Sequence, residues 1–121
     1  MKIVVVTGCL GFIGSHLTKK CLDMGWKVLG IDKKTYAANT LFLNELEKYD
    51  NFSFKHTDIC DLRSIPDCDY VINTAAETHV GNSILDSRDF LKSNIEGVKN
   101  LLELIRNKPS NICTKPTLFH F

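Results

Sequence analysis

The sequence predicts an α/β fold: a doubly wound parallel sheet of five strands with helices on both faces. Strand-like apolar runs alternate with helix-like segments along the whole chain, and this alternation is typical of parallel sheets with crossover helices. The first run, residues 3–6, is continuously apolar, as expected for a strand covered on both faces. Glycines at positions 8, 11 and 14 follow it and lead into a helical pattern. That order is typical of a nucleotide-binding βαβ unit of the Rossmann type.

The composition is that of an ordinary globular domain. The chain has 121 residues, 44% hydrophobic and 24% charged, with a formal net charge of +1. This balance gives no electrostatic indication of a nucleic-acid or membrane partner, and the first apolar run is too short for a signal peptide or a membrane span. The five cysteines lack C-x-x-C spacing and the four histidines lack zinc-type pairing with them. We therefore expect reduced thiols, a cytoplasmic location and no metal site.

The first half of the chain predicts two strands and two helices. Residues 2–7 and 26–31 are expected to be strands, the second of them ending at Asp32. Residues 11–24 predict a helix closed by Gly25, with an apolar stripe of Phe12, Ile13, Leu17, Cys21, Leu22 and Met24. Residues 40–49 predict the second helix, with apolar contacts from Leu41, Phe42 and Leu46.

The second half predicts three further strands and a long helical segment. Residues 52–55 and 70–73 are expected to be strands, with a short turn over 62–65 between them. Helical periodicity covers much of residues 83–107, and residues 117–121 begin a fifth strand. A single domain is expected, with no internal repeat. Because the sequence stops inside an apolar strand, we expect it to be the N-terminal part of a longer protein.

The glycine-rich turn predicts a dinucleotide site. The first N–H groups of a helix have no partner within it and, with the helix dipole, favour an anion such as a pyrophosphate. Gly8, Gly11 and Gly14 allow the tight turn and the close approach of the phosphates. At the end of the next strand, the Asp32 carboxylate can accept both hydroxyls of an adenosine ribose and repel a 2′-phosphate, which favours NAD over NADP. Lys33 and Lys34 weaken the preference for NAD, since a basic residue after the acid could meet a phosphate. The alternative to a dinucleotide site is a tight strand–helix turn followed by an aspartate that ends a strand.

Two later strand ends carry further candidates. Asp58 follows the third strand, where its carboxylate can accept a hydrogen bond from the adenine amino group while Ile59 packs on the ring; the alternative is a turn or cap residue. Ala75 and Ala76 follow the fourth strand, where small residues let the backbone approach a cofactor, or simply form a turn. Thr78 is a polar residue near the same edge, as is His79, although a single histidine is more often a satisfied surface or core residue.

Four stretches together resemble the extended short-chain dehydrogenase/reductase family, within it the nucleotide-sugar 4,6-dehydratase branch. They are Thr-Gly-Cys-Leu-Gly-Phe-Ile-Gly-Ser-His at 7–16, Asp-Lys-Lys-Thr-Tyr-Ala-Ala-Asn at 32–39, Asp-Ile-Cys-Asp at 58–61, and Ala-Ala-Glu-Thr-His-Val at 75–80 with Ser-Ile at 83–84 and Asn-Ile at 94–95. The resemblance implies a lyase that uses NAD to dehydrate a nucleotide-activated hexose, chiefly dTDP-glucose. It also implies a homodimer built from two long helices of each subunit.

The resemblance implies a role for each matching residue. The backbone amides of Phe12 and Ile13 would contact the pyrophosphate, and Asp58 and Ile59 the adenine. The adenosine ribose would be held by Asp32, Lys33, Lys34 and Thr35. The nicotinamide half would be lined by Thr74, Ala75 and Ala76, with Ser93 nearby. Thr78 would touch the sugar, with His79 beside it.

The sequence also departs from the branch and leaves other functions open. Cys9 stands where a glycine or another small residue is usual, and Gly-Asn at 81–82 stands where Asp-Arg is usual. The family's catalytic Tyr-x-x-x-Lys does not occur in the sequence, so the catalytic groups and the sugar-binding domain are expected beyond it. The alternatives are a nucleotide-sugar epimerase or decarboxylase of the same family, or a non-catalytic dinucleotide-binding module.

Overall fold

The computed structural model describes residues 2–33, 39–74, 95–107 and 117–120. Five strands form one parallel sheet in the order β3-β2-β1-β4-β5. The elements along the chain are β1 (Ile3–Thr7), α1 (Phe12–Asp23), β2 (Lys27–Asp32), α2 (Asn39–Leu46), β3 (Phe52–His56), a 3-10 turn (Ile59–Asp61), β4 (Tyr70–Asn73), α3 (Gly97–Arg106) and β5 (Thr117–His120). The predicted fold class is confirmed, and each predicted strand is present with ends that differ by at most one residue.

Side chains from the two faces of the sheet form two separate cores. In β1, Val4 and Val6 belong to the core that also contains residues of α1 and α2. Val5 belongs to the other core, with Ile59 of the 3-10 turn and Leu101 of α3. All three valines are fully buried, which explains why the first run of the sequence is continuously apolar.

Helix α1 packs with only part of the predicted stripe: Cys21 and Leu22 are buried, and Leu17 packs against the same core. Its buried residues are Gly14, Ser15, Thr18, Cys21 and Leu22, so small residues form most of the contact with the sheet. Phe12, Ile13 and Met24 of the predicted stripe are instead 75%, 61% and 48% exposed. The first two lie in the first turn of the helix, and Met24 is the C-cap.

The end of α1 is as predicted. Gly25 has a φ of +83°, and its N–H donates to the Leu22 carbonyl at 3.0 Å, while the Trp26 N–H donates to Cys21 at 3.1 Å. This pair of bonds is the Schellman motif, which favours a glycine because that residue adopts a left-handed conformation without a steric cost.

Three other local predictions need correction. Helix α2 ends at Leu46 rather than at residue 49, and it buries Leu43 and Leu46 while Leu41 is 70% exposed. The short turn lies at Ile59–Asp61 rather than at 62–65, because the Asp58 side chain caps it; Leu62 and Ile65 belong to the core. In α3, Leu102 is 51% exposed, and the predicted helical residues 83–94 lie outside the described part of the chain.

Candidate functional site

The candidate site lies at the carboxyl edge of the sheet, where the chain leaves β1 for α1. Thr7, the last residue of β1, pairs with Ile31 of β2 on one side and with Asn73 of β4 on the other. The segment from Gly8 to Gly11, called the glycine loop below, therefore emerges between the ends of two neighbouring strands. The strand order reverses at β1, and in open α/β sheets ligands bind in the crevice at such a point.

The side of the loop next to β2 is held by two hydrogen bonds. The Gly8 N–H donates to the Ile31 carbonyl at 2.7 Å. The Leu10 N–H donates to Oδ2 of Asp32 at 3.0 Å. Asp32, the residue predicted to read the ribose, is therefore also a structural partner of the loop, and its carboxylate is held beside the start of α1.

The side next to β4 is held by Thr74. Its hydroxyl donates to the Thr7 carbonyl at 2.7 Å and lies 3.1 Å from the Gly8 carbonyl oxygen. Its own N–H donates to the Thr7 carbonyl at 2.9 Å. The buried Thr7 hydroxyl in turn donates to Oδ1 of Asn73. These contacts tie the end of β4 to the glycine loop, so the two strand ends form one hydrogen-bonded unit.

Each glycine of the motif has its own requirement. Gly8 has a φ of +75°, a left-handed conformation that other residues adopt only at a cost. A Cβ on Gly14 would lie 2.0 Å from the Gly8 carbonyl oxygen and 2.6 Å from Thr74 Oγ1. Gly11 is the N-cap of α1 and has extended backbone; a Cβ there would lie at an ordinary 3.4 Å from Gly8 O.

The start of α1 offers backbone donors. Its N-cap makes no side-chain hydrogen bond, and the N–H groups of Phe12, Ile13 and Gly14 precede the first intrahelical bond, from the Ser15 N–H to Gly11 at 2.8 Å. The exposed Phe12 ring packs on His16, with centroids 4.7 Å apart. This arrangement can bind an anion through backbone N–H groups and the helix dipole.

Cys9 is oriented away from the loop's outer surface. It is fully buried in the core on the α1 side, and its Sγ lies 2.7 Å from the place that a Cβ on Gly30 would take. Burial, together with the nearby negative charge of Asp32, raises the pKa of the Cys9 thiol far above its ordinary value. The thiol is therefore a neutral core group, and the departure from glycine at position 9 is accommodated by the absent side chain at position 30.

The turn after β3 holds the second part of the candidate site. Oδ1 of Asp58 accepts the Cys60 N–H at 2.9 Å, so the cap role that was the alternative for this residue is present. The Ile59 side chain is 4% exposed and packs in the core. It cannot stack on an adenine ring, and a contact from Ile59 would have to come from its backbone. The Lys33 carbonyl accepts a hydrogen bond from Nε2 of His56 at 2.8 Å.

The remaining predicted site residues lie outside the described part of the chain. They are Lys34, Thr35, Ala75, Ala76, Thr78, His79 and Ser93. Within the described ranges, no group of three or more His, Cys, Asp or Glu residues is placed to hold a metal ion, and no helix is long and apolar enough to cross a membrane.

Sequence reasoning missed several contacts that shape the site. The pairing of Cys9 with Gly30 had a signal, because an isolated glycine inside an apolar strand indicates a close approach of another group. The contact of Asn100 of α3 with the turn after β3 also had a sequence signal, because Asn100 lies on the same helix face as Gly97 and Leu101. The hydrogen bond between Asp32 and the Leu10 N–H had no sequence signal, since it depends on the register of β1 and β2.

The chain is similar in sequence to nucleotide-sugar 4,6-dehydratases. The family model described as GDP-mannose 4,6 dehydratase matches residues 5–120. A probable dTDP-glucose 4,6-dehydratase of Sinorhizobium fredii is 40% identical over 90% of this chain and 33% of its own length. The dTDP-glucose 4,6-dehydratase of Haemophilus influenzae is 41% identical over 88% of this chain and 34% of its own. The chain thus spans about a third of the length of these curated relatives.

Solved structures give the same fold. A UDP-glucuronic acid 4-epimerase from Bacillus cereus, solved in complex with NAD and a UDP-sugar, superposes with a TM-score of 0.86 at 29% identity, covering 98% of this chain and 39% of its own. The dTDP-glucose 4,6-dehydratase DesIV from Streptomyces venezuelae, solved with NAD bound, has a TM-score of 0.76 at 32% identity and covers 84% and 35%. Dehydratases and epimerases therefore share this architecture.

Proposed function

The chain belongs to the GDP-mannose 4,6 dehydratase family, and from that premise we propose that it supplies the NAD site of a nucleotide-sugar 4,6-dehydratase that acts on dTDP-glucose. The observation that carries the proposal is the hydrogen bond from the Leu10 N–H to Asp32. It holds a carboxylate for the adenosine ribose beside the helix N-terminus that would bind the pyrophosphate.

The described residues fit a dinucleotide. Gly14 keeps a side chain out of the space beside the loop, where a Cβ would meet the Gly8 backbone and Thr74, and Gly8 has the left-handed conformation that the tight turn requires. The first N–H groups of α1 can donate to phosphate oxygens. Asp32 lies at the end of the neighbouring strand, where a negative charge favours ribose hydroxyls over a 2′-phosphate. When bound, NAD supplies the redox chemistry of the sugar, and the residues described here bind and orient it.

The proposed roles of the other predicted residues follow the family resemblance. Asp58 and the backbone of Ile59 would contact the adenine, and Lys33, Lys34 and Thr35 the ribose. Thr74, Ala75, Ala76 and Ser93 would lie along the nicotinamide half, with Thr78 and His79 next to the sugar. The groups that transfer protons to and from the sugar would belong to the part of the family's length that this chain does not span.

A product assay tests the proposed reaction. The protein, in the longest form that its gene encodes, is incubated with dTDP-glucose and NAD and without a reductant. We expect the 4-keto-6-deoxy sugar, identified by mass spectrometry and NMR, with no net formation of NADH. A steady need for added NADH would contradict the proposal.

The second candidate function is a nucleotide-sugar 4-epimerase. The superposition on the UDP-glucuronic acid 4-epimerase, which covers nearly the whole chain, favours it. Recovery of the C4 epimer in the same assay, with UDP-sugars included as substrates, would establish this function in place of dehydration.

Variants of Asp32 test the cofactor site independently of the substrate. Asp32→Asn keeps an oxygen that can accept the Leu10 N–H but removes the charge, whereas Asp32→Ala removes both. Because hydrogen bonds to a charged group contribute about 1.5–3 kcal/mol, we expect both variants to bind NAD about tenfold or more weakly in calorimetry. Asp50→Asn is the control, since Asp50 is exposed in the turn that precedes β3 at the opposite edge.

The Asp32 experiment separates two roles of the same carboxylate. If only Asp32→Ala weakens binding, the charge of Asp32 is not needed and Asp32 acts through hydrogen bonds that asparagine can also make. If neither variant changes the affinity for NAD, the proposed cofactor site is wrong.

We also propose that the protein is a homodimer, as the family resemblance implies. The apolar side chains of Ile95 and Leu102, next to and within α3, are 59% and 51% exposed, which is consistent with a partner on that helix. The molar mass from light scattering tests it: twice the subunit mass is expected, and a monomer at micromolar concentration would contradict it.

A further inference from the structure

Asn100 of α3 holds the turn that follows β3. Its side-chain Nδ2 donates to two backbone carbonyls, that of Ile59 at 2.7 Å and that of Leu62 at 2.9 Å. These carbonyls lie at the first residue of the 3-10 turn and just after its end. One amide group thus uses both of its hydrogens to bind the two ends of the turn.

Gly97 brings the helix close enough for this contact. A Cβ at position 97 would lie 2.3 Å from Cδ1 and 2.5 Å from Cγ1 of Ile59, so the Ile59 side chain occupies the space that the glycine leaves. Gly97 and Asn100 lie one turn apart and share a face of α3. Helix α3 and the turn are therefore fixed to each other by the packing of Ile59 against Gly97 and by the two hydrogen bonds of Asn100.

The turn that Asn100 holds also carries Asp58. Asp58 is the N-cap of the turn, and its Oδ1 accepts the Cys60 N–H, so its carboxylate moves with the turn. The Ile59 N–H is the first of the turn and precedes its first internal bond, from Asp61 to the Asp58 carbonyl. A carboxylate next to a backbone N–H complements adenine, which presents an amino donor beside a ring-nitrogen acceptor.

We propose that Asn100 is a positioning residue for the adenine half of the dinucleotide. By binding the Ile59 and Leu62 carbonyls it fixes the place of the Asp58 carboxylate and of the Ile59 N–H, and thereby makes the site selective for adenine. This inference rests on the proposed NAD site. It assigns the selectivity for adenine to a side chain of α3. Asn100 does not itself contact the base and acts through the turn.

The test compares NAD with nicotinamide hypoxanthine dinucleotide, in which a carbonyl replaces the adenine amino group and the ring nitrogen carries a hydrogen. Dissociation constants of both are measured by calorimetry for the wild-type protein in its longest natural form. Because the analogue would place an acceptor against Asp58 and a donor against the Ile59 N–H, we expect wild type to bind NAD at least about tenfold more tightly. In Asn100→Leu, which leaves both carbonyls without this donor, the ratio should fall to within about threefold.

Two further variants keep the result interpretable. Asn100→Ser retains one donor that can reach at most one of the carbonyls, so its ratio should lie between those of wild type and Asn100→Leu; it serves if the leucine variant does not fold. Lys99→Ala is the matched control, because Lys99 is the adjacent, exposed residue of the same helix, and its ratio should equal that of wild type.

The outcomes distinguish this inference from the proposed function. If wild type does not bind NAD, the proposed cofactor site fails. If wild type prefers NAD and the Asn100 variants lose affinity equally for both dinucleotides, so that the ratio is unchanged, Asn100 only stabilises the fold and the inference is overturned. A wild-type ratio near one also overturns it, while leaving NAD binding intact.

Discussion

Gly14 of helix α1 lies against both the glycine loop and Thr74, the residue that follows strand β4. Its missing side chain leaves room for the Gly8 carbonyl and for the Thr74 hydroxyl, which a Cβ would meet at 2.0 Å and 2.6 Å. Gly11 faces the same carbonyl at an ordinary contact distance. Two glycines of one motif thus have different physical requirements: Gly14 is needed for packing, whereas Gly11 only begins the helix.

We expect Gly14→Ala to lower the free energy of unfolding by about 1–3 kcal/mol, the usual cost of forcing an extra methyl group into a packed site. It should also weaken NAD binding, because the clash displaces the loop. Gly11→Ala is the control and should lower stability by less than about 1 kcal/mol, since alanine is a poorer N-cap than glycine but also lowers the conformational entropy of the unfolded chain. Chemical denaturation measures both, and equal stability of the two variants would contradict this account.

Residue types indicate candidate positions for the site but not the contacts of those residues. The glycines, Asp32 and Asp58 could be identified because each follows a strand, and parallel strand ends meet at one edge. The sequence could not show that Asp32 binds the Leu10 N–H, and it left the cap role of Asp58 as an alternative. Such bonds depend on side-chain rotamers and on strand register. The side chain of Ile59 was wrongly assigned to the adenine for the same reason, since its direction is set by the packing of α3.

At the scale of elements, the ends of β1 and β4 act as one unit through Thr74. The strand pairing places Thr7 opposite Asn73, so the next residue along β4 reaches the carbonyls of Thr7 and Gly8. A substitution at the end of β4 should therefore change the stability of the glycine loop, although the two are far apart in sequence.

Thr74→Val tests this coupling, because valine keeps the shape of threonine and removes the hydroxyl. We expect the free energy of unfolding to fall by about 0.5–1.5 kcal/mol, the usual contribution of one hydrogen bond, because the Thr7 and Gly8 carbonyls still accept the N–H groups of Thr74 and Gly11. NAD should bind more weakly, and Thr74→Ser, which keeps the hydroxyl, should restore most of both losses. Valine and serine variants that bind NAD equally well would show that the hydroxyl does not support the loop.

Helices were predicted less accurately than strands, for a physical reason. The central strand β1 is buried on both faces and apolar from Ile3 to Val6, so its limits can be found without knowing its neighbours. The buried face of α1 instead consists of residues such as Gly14, Ser15 and Thr18, because α1 lies close to the sheet at the glycine loop. Hydrophobic periodicity favoured Phe12 and Ile13, which are exposed. In α2 the same criterion selected Leu41 rather than Leu43.

At the scale of the whole molecule, the order of the strands brings the site together. The chain passes from β1 to β2 and β3 on one side, then crosses to β4 and β5 on the other. The glycine loop therefore receives Asp32 from one neighbour of β1 and Thr74 from the other. The alternation of strands and helices predicted a parallel sheet, and the right-handed crossover rule restricts its topology to few alternatives. β1 contributes to both cores, and four of its five residues, Val4 to Thr7, are fully buried.

The buried thiol of Cys9 should make the free energy of unfolding fall as the pH rises through the alkaline range. Burial first, and the charge of Asp32 second, raise the pKa of this thiol from its ordinary value of 9.0. The native protein therefore keeps the proton at a pH where the unfolded chain releases it. Since the unfolded state then binds fewer protons, the free energy of unfolding is unaffected below the unfolded pKa and falls as the pH rises above it.

Above pH 9 this single thiol should lower the free energy of unfolding by up to about 1.4 kcal/mol per pH unit. Burial of Cys21, and the hydrogen bond from Tyr49 to Asp23, raise the pKa values of those groups as well, so wild type alone does not isolate Cys9. The comparison is therefore with Cys9→Ala, by chemical denaturation under reducing conditions at several pH values between 8 and 11. The variant starts from a lower stability, because it leaves a space beside Gly30, but its stability should fall less steeply with pH. Parallel pH profiles for the two proteins would mean that the Cys9 thiol ionises in the native state as readily as in the unfolded chain.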